Sequence, residues 1–251
     1  MTTRMTSKNT PCGLNRDAIK MIAMGTMLLN HVATVFMEPG TFLFELFVDI
    51  GYFTAITMCY FLVEGWHYTR SRRRYALRLF LFALLSQIPF SYAFSDDGSL
   101  RYSNLNMMFT LLFCFLIIWA LKEIPDPGKS RAMAFFLTCC TAFCDWAFFA
   151  AVFTWLFVWA DGVPERQKTA WRWAVLCFDG FTFLSGIGRF QPAGLLLYAA
   201  GAAAGVALSA VCILYLYNGK RAQRGRKFFQ WFFYLFYPVH LLVLGLLRFA
   251  L

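Results

Sequence analysis

The sequence predicts an all-α protein, a polytopic bundle of helices that is integral to a membrane. Of its 251 residues, 60% are hydrophobic, 20% are aromatic and 14% are charged, and the mean hydropathy is +0.57. Typical soluble domains carry about 25% charged residues. Helices that are apolar on every face need lipid or other helices around them. We therefore expect one membrane domain over residues 1–251, with residues 1–15 as a short cytoplasmic segment.

Apolar runs along the chain indicate about nine membrane-spanning helices. A crossing needs about 20 apolar residues, or fewer where a helix is short or buried. The predicted spans are 17–36, 42–64, 76–94, 105–121, 131–144, 147–160, 171–188, 193–217 and 228–249. Residues 132–160 would make one helix of about 43 Å, longer than a hydrocarbon core of about 30 Å. Asp145 interrupts this run, so a single tilted helix and two short helices meeting at an outer turn are both possible.

The loop charges decide between these two readings. Every second connection is basic, with clusters at Arg4, Lys8, Arg16 and Lys20; at Arg70, Arg72, Arg73, Arg74 and Arg78; at Lys122, Lys129 and Arg131; at Arg166, Lys168 and Arg172; and at Lys220, Arg221, Arg224, Arg226 and Lys227. The other connections hold Glu38; Asp96, Asp97 and Arg101; Asp145; and Arg189. The positive-inside rule then predicts a cytoplasmic N-terminus and an outer C-terminus in the inner membrane, and it requires a break at Asp145. The net charge of +10 therefore indicates topology and contact with membrane lipid, with no nucleic acid as a partner.

An ionisable residue lies deep in the first span. His31 follows Lys20 by eleven residues, and at about 100° per residue the two return to within about 20° of one helix face. Met24 and Met27 share that face. A satisfied core histidine is one reading; the other is a general base, because ionisable groups inside lipid are costly.

Other polar residues in the spans are further candidates for a site. His240, next to Pro238 in the last span, is either a packing residue at a kink or a second proton carrier. Asp49 and Asp145 either form structural ion pairs or caps, or orient a histidine. Ser86, Gln87, Asn104 and Asn106 add groups suited to lining a wet cavity. The seven cysteines in apolar segments show no zinc spacing, so no metal is expected.

The arginine run also allows two readings. Arg70, Arg72, Arg73, Arg74 and Arg78 either enforce topology and touch anionic lipid, or bind a phosphate-bearing donor together with Arg16 and Lys20. Coenzyme A would suit such a site. No phosphate-binding glycine loop is present, which argues against nucleotide hydrolysis.

Several segments in order resemble the TraX family. They are LLNHVATVF, YFLVEGWHYTRSRRRYALRL, LSQIPFSYAF, NMMFTLLF, YNGKR and KFFQWFFYLFYPVHLLVL, and the resemblance runs from about Arg16 to Arg248. The family is named for a conjugal-transfer protein of the inner membrane that N-acetylates a pilin subunit. The resemblance therefore implies acetyl transfer from acetyl-CoA.

Lys20 and His31 are also similar to the basic-x10-His signature of broader membrane acyltransferases, which take acyl groups from cytosolic acyl-CoA to extracytoplasmic acceptors. This likeness implies that His31 is the general base and that Lys20 supports the donor. The acceptor is then a pilin-like protein, another amine or a sugar hydroxyl of a cell-envelope glycan.

Two other functions remain open on the sequence. Intramembrane His, Asp and Lys residues also mark the pathways of proton-coupled and solute transporters. A non-catalytic membrane component of a conjugation or secretion system would need none of these residues for chemistry.

Overall fold

The structure, a computed structural model, describes residues 13–95, 104–222 and 224–250. Within these ranges the chain forms nine α-helices joined by short connections. They are α1 (Arg16–Phe36), α2 (Phe42–Tyr68), α3 (Arg72–Phe94), α4 (Met107–Glu123), α5 (Pro127–Cys140), α6 (Phe149–Ala160), α7 (Pro164–Gly186), α8 (Pro192–Val211) and α9 (Arg226–Ala250). Arg4, Lys8, Asp96, Asp97 and Arg101 lie outside the described residues.

The long apolar run over residues 132–160 is divided into two helices. α5 ends at Cys140, a 3₁₀ turn covers Thr141–Phe143, and α6 begins at Phe149. The division falls at Asp145, where the loop charges require it.

Among the described residues, five helices are long and apolar enough to cross a membrane. They are Arg16–Phe36, Phe42–Tyr68, Arg72–Phe94, Pro192–Leu216 and Phe228–Ala250, and α6 is a shorter apolar helix. The all-helical class and the presence of several membrane helices are thus confirmed. Nine crossings and a cytoplasmic N-terminus stay predictions.

Three helices begin four or more residues before the predicted spans because capping, and not hydropathy, sets a helix start. α7 begins at Pro164, seven residues before the predicted 171, with the proline at its first turn. α5 begins at Pro127 and not at 131, since the Asp126 carboxylate accepts a hydrogen bond from Lys129 N at 2.6 Å. α3 begins at Arg72 and not at 76, with Ser71 as its cap. These extensions are polar turns that a search for apolar runs excludes.

The described chain forms two compact units. Unit 1 comprises Met1–Thr57 and Trp159–Phe229, and unit 2 comprises Met58–Val158 and Gln230–Leu251. Unit 1 thus contains α1, α7, α8 and the first part of α2. Unit 2 contains α3, α4, α5, the last part of α2 and nearly all of α6 and α9.

In unit 1, hydroxyl groups on α2 hydrogen-bond to both α1 and α8. The Thr54 hydroxyl donates to the Ala23 carbonyl at 2.6 Å and lies 2.8 Å from the Thr26 hydroxyl. Thr57 and Ser209 share a hydrogen bond of 2.6 Å. Interhelical hydrogen bonds of this kind contribute about 0.6–2 kcal/mol each inside membranes. They fix α1 and α8 to α2 at defined levels.

Two glycines let α8 approach α2 closely. The Asp49 carboxylate lies against Gly201, and the Asp49 backbone carbonyl lies against Gly205, one helical turn further along α8. A methyl group at either glycine would overlap Asp49. Small residues spaced by four allow such backbone contacts between membrane helices.

In unit 2, α3 and α9 run side by side in the same direction. Phe82 stacks on Tyr234 with ring centroids 4.9 Å apart, and further along both helices Arg248 Nη1 donates to the Ala93 carbonyl at 3.0 Å. Both helices contain an internal proline, Pro89 in α3 and Pro238 in α9.

We predict that Gly205→Ala lowers the melting temperature of the detergent-solubilised protein, because the added methyl group overlaps the Asp49 backbone carbonyl, which cannot rotate away. Overpacking of this kind costs about 1–3 kcal/mol. Gly180→Ala on α7 is the control, since nothing lies within 4 Å of its added methyl group. Equal melting temperatures for the two variants would contradict the close α2–α8 contact.

Candidate functional site

One face of α1 carries the predicted line from a cation to an imidazole. Met24, Met27 and His31 are buried on α1, while Lys20 is half-buried. Lys20 and His31 are about 16 Å apart along the helix axis. The imidazole is thus buried, and the amine lies near the start of the helix.

The start of α1 is hydrogen-bonded to the segment that follows α8. Leu14 N donates to the Leu216 carbonyl at 2.8 Å, and Arg16 N donates to the Lys220 carbonyl at 2.8 Å. The Asp17 carboxylate accepts a hydrogen bond of 2.8 Å from Ala222 N. Two basic runs that are about 200 residues apart in the sequence, Arg16 to Lys20 and Lys220 to Ala222, therefore meet at one end of unit 1. Such an end favours anions.

Asp49 lies at the same level of unit 1 as His31. Asn30, which precedes His31, donates through Nδ2 to the Val48 carbonyl at 3.2 Å, and Val48 precedes Asp49. The Asn30 side chain also packs on Gly51. This contact between α1 and α2 places His31 and Asp49 at the same level of unit 1. The Asp49 carboxylate lies against Gly201 of α8.

In unit 2, the arginine run divides into engaged and exposed residues. Arg72 forms an ion pair of 2.7 Å with Glu123 and lies 4.3 Å from the centre of the Trp66 ring. Arg78 lies 5.8 Å from the centre of the Tyr75 ring. Arg70, Arg73 and Arg74 are exposed. Arg72 thus contributes to packing, whereas the exposed three can meet a ligand or lipid.

Arg73 and Arg74 lie at the end of α3 where positive side chains destabilise a helix. They lie in the first turn of α3, where Ser71 caps the helix by accepting a hydrogen bond from Arg74 N at 3.4 Å. A helix N-terminus carries a partial positive charge that repels cations and attracts anions. The two exposed arginines and the helix end together therefore suit a phosphate or an anionic headgroup.

The turn between α5 and α6 is tied to the start of α4. Asp145 N donates to the Leu105 carbonyl at 2.7 Å, and the Thr110 hydroxyl donates to the Asp145 carbonyl. Trp146 and Phe148 have φ values of 59° and 60°, in the left-handed region that bulky residues rarely adopt. Such backbone strain persists only where surrounding contacts hold it in place.

Asp145 itself is half-buried in this turn, outside both predicted spans. Burial raises the pKa of its carboxyl from 3.8 to about 6, and a hydrogen bond from the Trp146 backbone opposes the rise. The carboxyl therefore holds its proton to a higher pH than an exposed aspartate does.

Asn106 is the centre of a buried polar network in unit 2. This fully buried side chain donates through Nδ2 to the Ala83 carbonyl and to Gln87 Oε1, both at 2.8 Å. Its Oδ1 accepts from Met108 N at 2.9 Å and so caps α4. The next residue, Met107, donates its N–H to the Tyr237 hydroxyl at 3.2 Å. One asparagine therefore links α3 and the start of α4, beside a contact with α9.

His240 is buried in α9, one helical turn beyond Tyr237. Its Nδ1 lies 2.7 Å from the Phe236 carbonyl, which can only accept a hydrogen bond, so Nδ1 carries the proton. In the neutral ring, Nε2 is then an acceptor. The ring stacks on Phe236 at 4.8 Å and meets Tyr237 at 5.7 Å.

The predicted site residues thus fall in both units. Unit 1 holds Arg16, Lys20, His31 and Asp49, and unit 2 holds Arg70, Arg72, Arg73, Arg74, Arg78, Asp145 and His240. Asn30 and Tyr237 were not among the predicted site residues. In the sequence, Asn30 is a polar residue directly before His31, and Tyr237 lies one helical turn before His240.

The TraX protein family model matches residues 15–248. The chain belongs to the TraX family. A relative from Dichelobacter nodosus, described as "Probable fimbrial assembly protein FimC, serogroup H1", is 30% identical over 243 residues, which cover 90% of this chain and 92% of the relative. No solved structure matches the chain. Family and helices together make this TraX-family chain a multi-pass membrane protein.

We predict that Thr110→Val destabilises unit 2, because it leaves the Asp145 carbonyl without the Thr110 hydroxyl in a strained turn. Loss of a buried hydrogen-bond partner costs about 1–3 kcal/mol. Thr182→Val is the control, since the buried Thr182 hydroxyl donates to the Phe178 carbonyl of its own helix, α7. Thermal unfolding in detergent measures the difference, and a T110V protein as stable as T182V would contradict it.

Proposed function

We propose that this TraX-family chain is a membrane-bound acetyltransferase. It moves an acetyl group from cytosolic acetyl-CoA to an amine or hydroxyl on a membrane-associated or extracytoplasmic acceptor. The observation that carries this proposal is the single face of α1 that leads from Lys20, beside a basic end, to the buried His31. Cytosolic acetyl-CoA makes the cytoplasmic membrane its location.

In the proposed reaction, a ring nitrogen of His31 takes the proton of the acceptor amine or hydroxyl. The acceptor nitrogen or oxygen attacks the thioester carbonyl, the new bond to the acetyl carbon forms, and the bond from that carbon to sulfur breaks. The proton passes from His31 to the departing thiolate, which leaves as coenzyme A. Neutral His31 is thereby restored, and no metal is required.

Unit 1 supplies the groups that this reaction needs. Lys20, Arg16 and the basic segment after α8 attract the phosphates of the donor. Asn30 ties α1 to α2 directly beside His31, which limits movement of the imidazole. Asp49, at the same level, is suited to orient an imidazolium. Holding donor and acceptor together in a dry site supplies much of the rate.

The acceptor is proposed from the relatives. The Dichelobacter nodosus protein is described as a fimbrial assembly protein, and the TraX family takes its name from a conjugation protein that acetylates pilin. A pilin-like subunit is therefore the first acceptor to test, and a cell-envelope glycan is the second.

The relative's description also favours a second function, a non-catalytic membrane component of a pilus assembly system. Such a component needs no acetyl-CoA, and its histidine would serve packing alone. A transporter would likewise show no transfer of acetyl groups.

We predict that His31→Ala abolishes acetyl transfer because it removes the general base. Purified wild-type and variant proteins are incubated with labelled acetyl-CoA and membrane extract, and labelled products are counted. His67→Ala is the matched control, since His67 is exposed at the end of α2 and lies outside the proposed site. The expected result is loss in H31A, retention in H67A and equal folded yields. Normal turnover in H31A would refute the role of His31, and no labelling by the wild type would refute the activity.

We also predict that Lys220→Ala with Arg224→Ala weakens binding of acetyl-CoA, because both cationic side chains are exposed in the basic segment after α8, which is hydrogen-bonded to the start of α1. Loss of two exposed charge contacts costs about 1–2 kcal/mol, or roughly tenfold in affinity, and the loss should shrink as salt rises. Lys168→Ala, an exposed cation on α7, is the control. Isothermal titration calorimetry with acetyl-CoA measures affinity. Unchanged affinity, together with weaker binding to anionic vesicles, would assign the two cations to lipid.

A further inference from the structure

Among the buried hydroxyls that the structure describes, one in unit 2 has no hydrogen-bond partner. The Ser86 side chain is fully buried in α3, and in the part of the chain that the structure describes its hydroxyl makes no hydrogen bond. A buried hydroxyl without a partner costs about 1–3 kcal/mol, so native proteins rarely keep one without a reason. The many other buried hydroxyls are bonded, including Ser130, whose Oγ donates to the Ala120 carbonyl at 2.9 Å.

The same turn of α3 contains an acceptor that has lost its helical partner. Pro89 has no N–H, so the Leu85 carbonyl four residues earlier lacks the amide hydrogen that a regular helix would supply. Ser86 therefore follows directly on a backbone acceptor. A group that both donates and accepts hydrogen bonds would satisfy the two atoms.

The turn of α3 that contains Ser86 lies at the level of Tyr237 and His240 in α9. Phe82 stacks on Tyr234, Ser86 is one turn beyond Phe82, and Pro238 is one turn beyond Tyr234 in the parallel helix. The start of α4 marks the same height independently, because Asn106 bonds to Ala83 and Gln87 on either side of Ser86.

The contact from α4 to α9 completes this junction. Met107, next to Asn106, donates to the Tyr237 hydroxyl, and His240 presents a ring whose proton is fixed on Nδ1. Ser86 also shares a helix face with Ala83 and Ala93, which contact the start of α4 and α9 respectively. Ser86 thus lies between the two elements that carry Asn106 and His240.

We propose that this α3–α4–α9 junction binds a neutral hydroxyl group, with Ser86 Oγ as the anchor and the His240 ring beside it. A hydroxyl donates one hydrogen bond and accepts another, as the Leu85 carbonyl and the Ser86 hydroxyl require. A neutral group also avoids the cost of bringing a charge into an apolar helix bundle. The site is separate from the proposed role of His31 and does not require acetyl transfer.

The three histidines of the chain make the test direct. Protein with ¹⁵N-labelled histidine in nanodiscs gives three imidazoles, which the variants His31→Gln, His67→Gln and His240→Gln assign. Hexan-1-ol is the probe, and hexane is the apolar control. We expect hexan-1-ol to shift the His240 signals in a saturable way, while hexane does not.

Ser86→Ala should weaken that response roughly tenfold, because it removes the anchoring hydrogen bond in a dry site. Ser86→Thr keeps a hydroxyl and should retain the response. Ser130→Ala removes another buried serine hydroxyl of unit 2 and should leave the response unchanged.

Absence of a shift with hexan-1-ol in the wild type overturns the proposal, and so does an equal response in S86A and wild type. The wild-type titration decides the first point even if S86A fails to fold. Because the titration reads binding alone, it is unaffected if acetyl transfer is absent, and transfer can equally be present while this site is refuted.

Discussion

The absence of water inside a bilayer is the constraint on which this structure depends. Each unpaired polar group there costs several kcal/mol, so backbone groups must be paired within helices and side-chain polar groups must find partners on neighbouring ones. The hydroxyl pairs Thr54 with Thr26 and Thr57 with Ser209 meet this requirement while joining helices. Asn106 meets it with hydrogen bonds to two segments at once. The contacts that pair polar groups in this chain are therefore also contacts that hold its helices together. The buried Ser86 hydroxyl, which has no hydrogen-bond partner, is an exception to this pattern.

The number and order of the helices could be predicted because they follow from local properties. Apolar length gave nine runs, and the alternation of loop charges required the break at Asp145, which the structure has between Cys140 and Phe149. The start of α7 was missed because its first turn, from Pro164, is polar and its helical character lies in a proline at the first position. Hydropathy measures affinity for lipid, and it says nothing about where a helix is capped.

The site could be predicted only in part, for a related reason. The face shared by Lys20, Met24, Met27 and His31 follows from helical periodicity within one segment. The junction of Arg16 with Lys220 and the contact of Asp49 with Gly201 join residues far apart in the sequence, and periodicity carries no information about such partners. The arginine run shows the same limit, since composition treats all five arginines alike while Glu123 and Trp66 engage Arg72 specifically.

Helix directions bear on topology without reference to charge. In unit 1, Asp49 meets Gly201 and Gly205 while Thr57 meets Ser209, so α2 and α8 run in the same direction. In unit 2, the contacts of Phe82 with Tyr234 and of Ala93 with Arg248 make α3 and α9 parallel as well. If each helix reverses the direction of the one before it, both results require an even number of reversals between the partners. Separate α5 and α6 give six reversals in each case, whereas one continuous helix over 132–160 would give five and make both pairs antiparallel. The division of residues 132–160 at the strained turn of Asp145 to Phe148 therefore agrees with both parallel pairs and with the meeting of Arg16 and Lys220 at one end of unit 1.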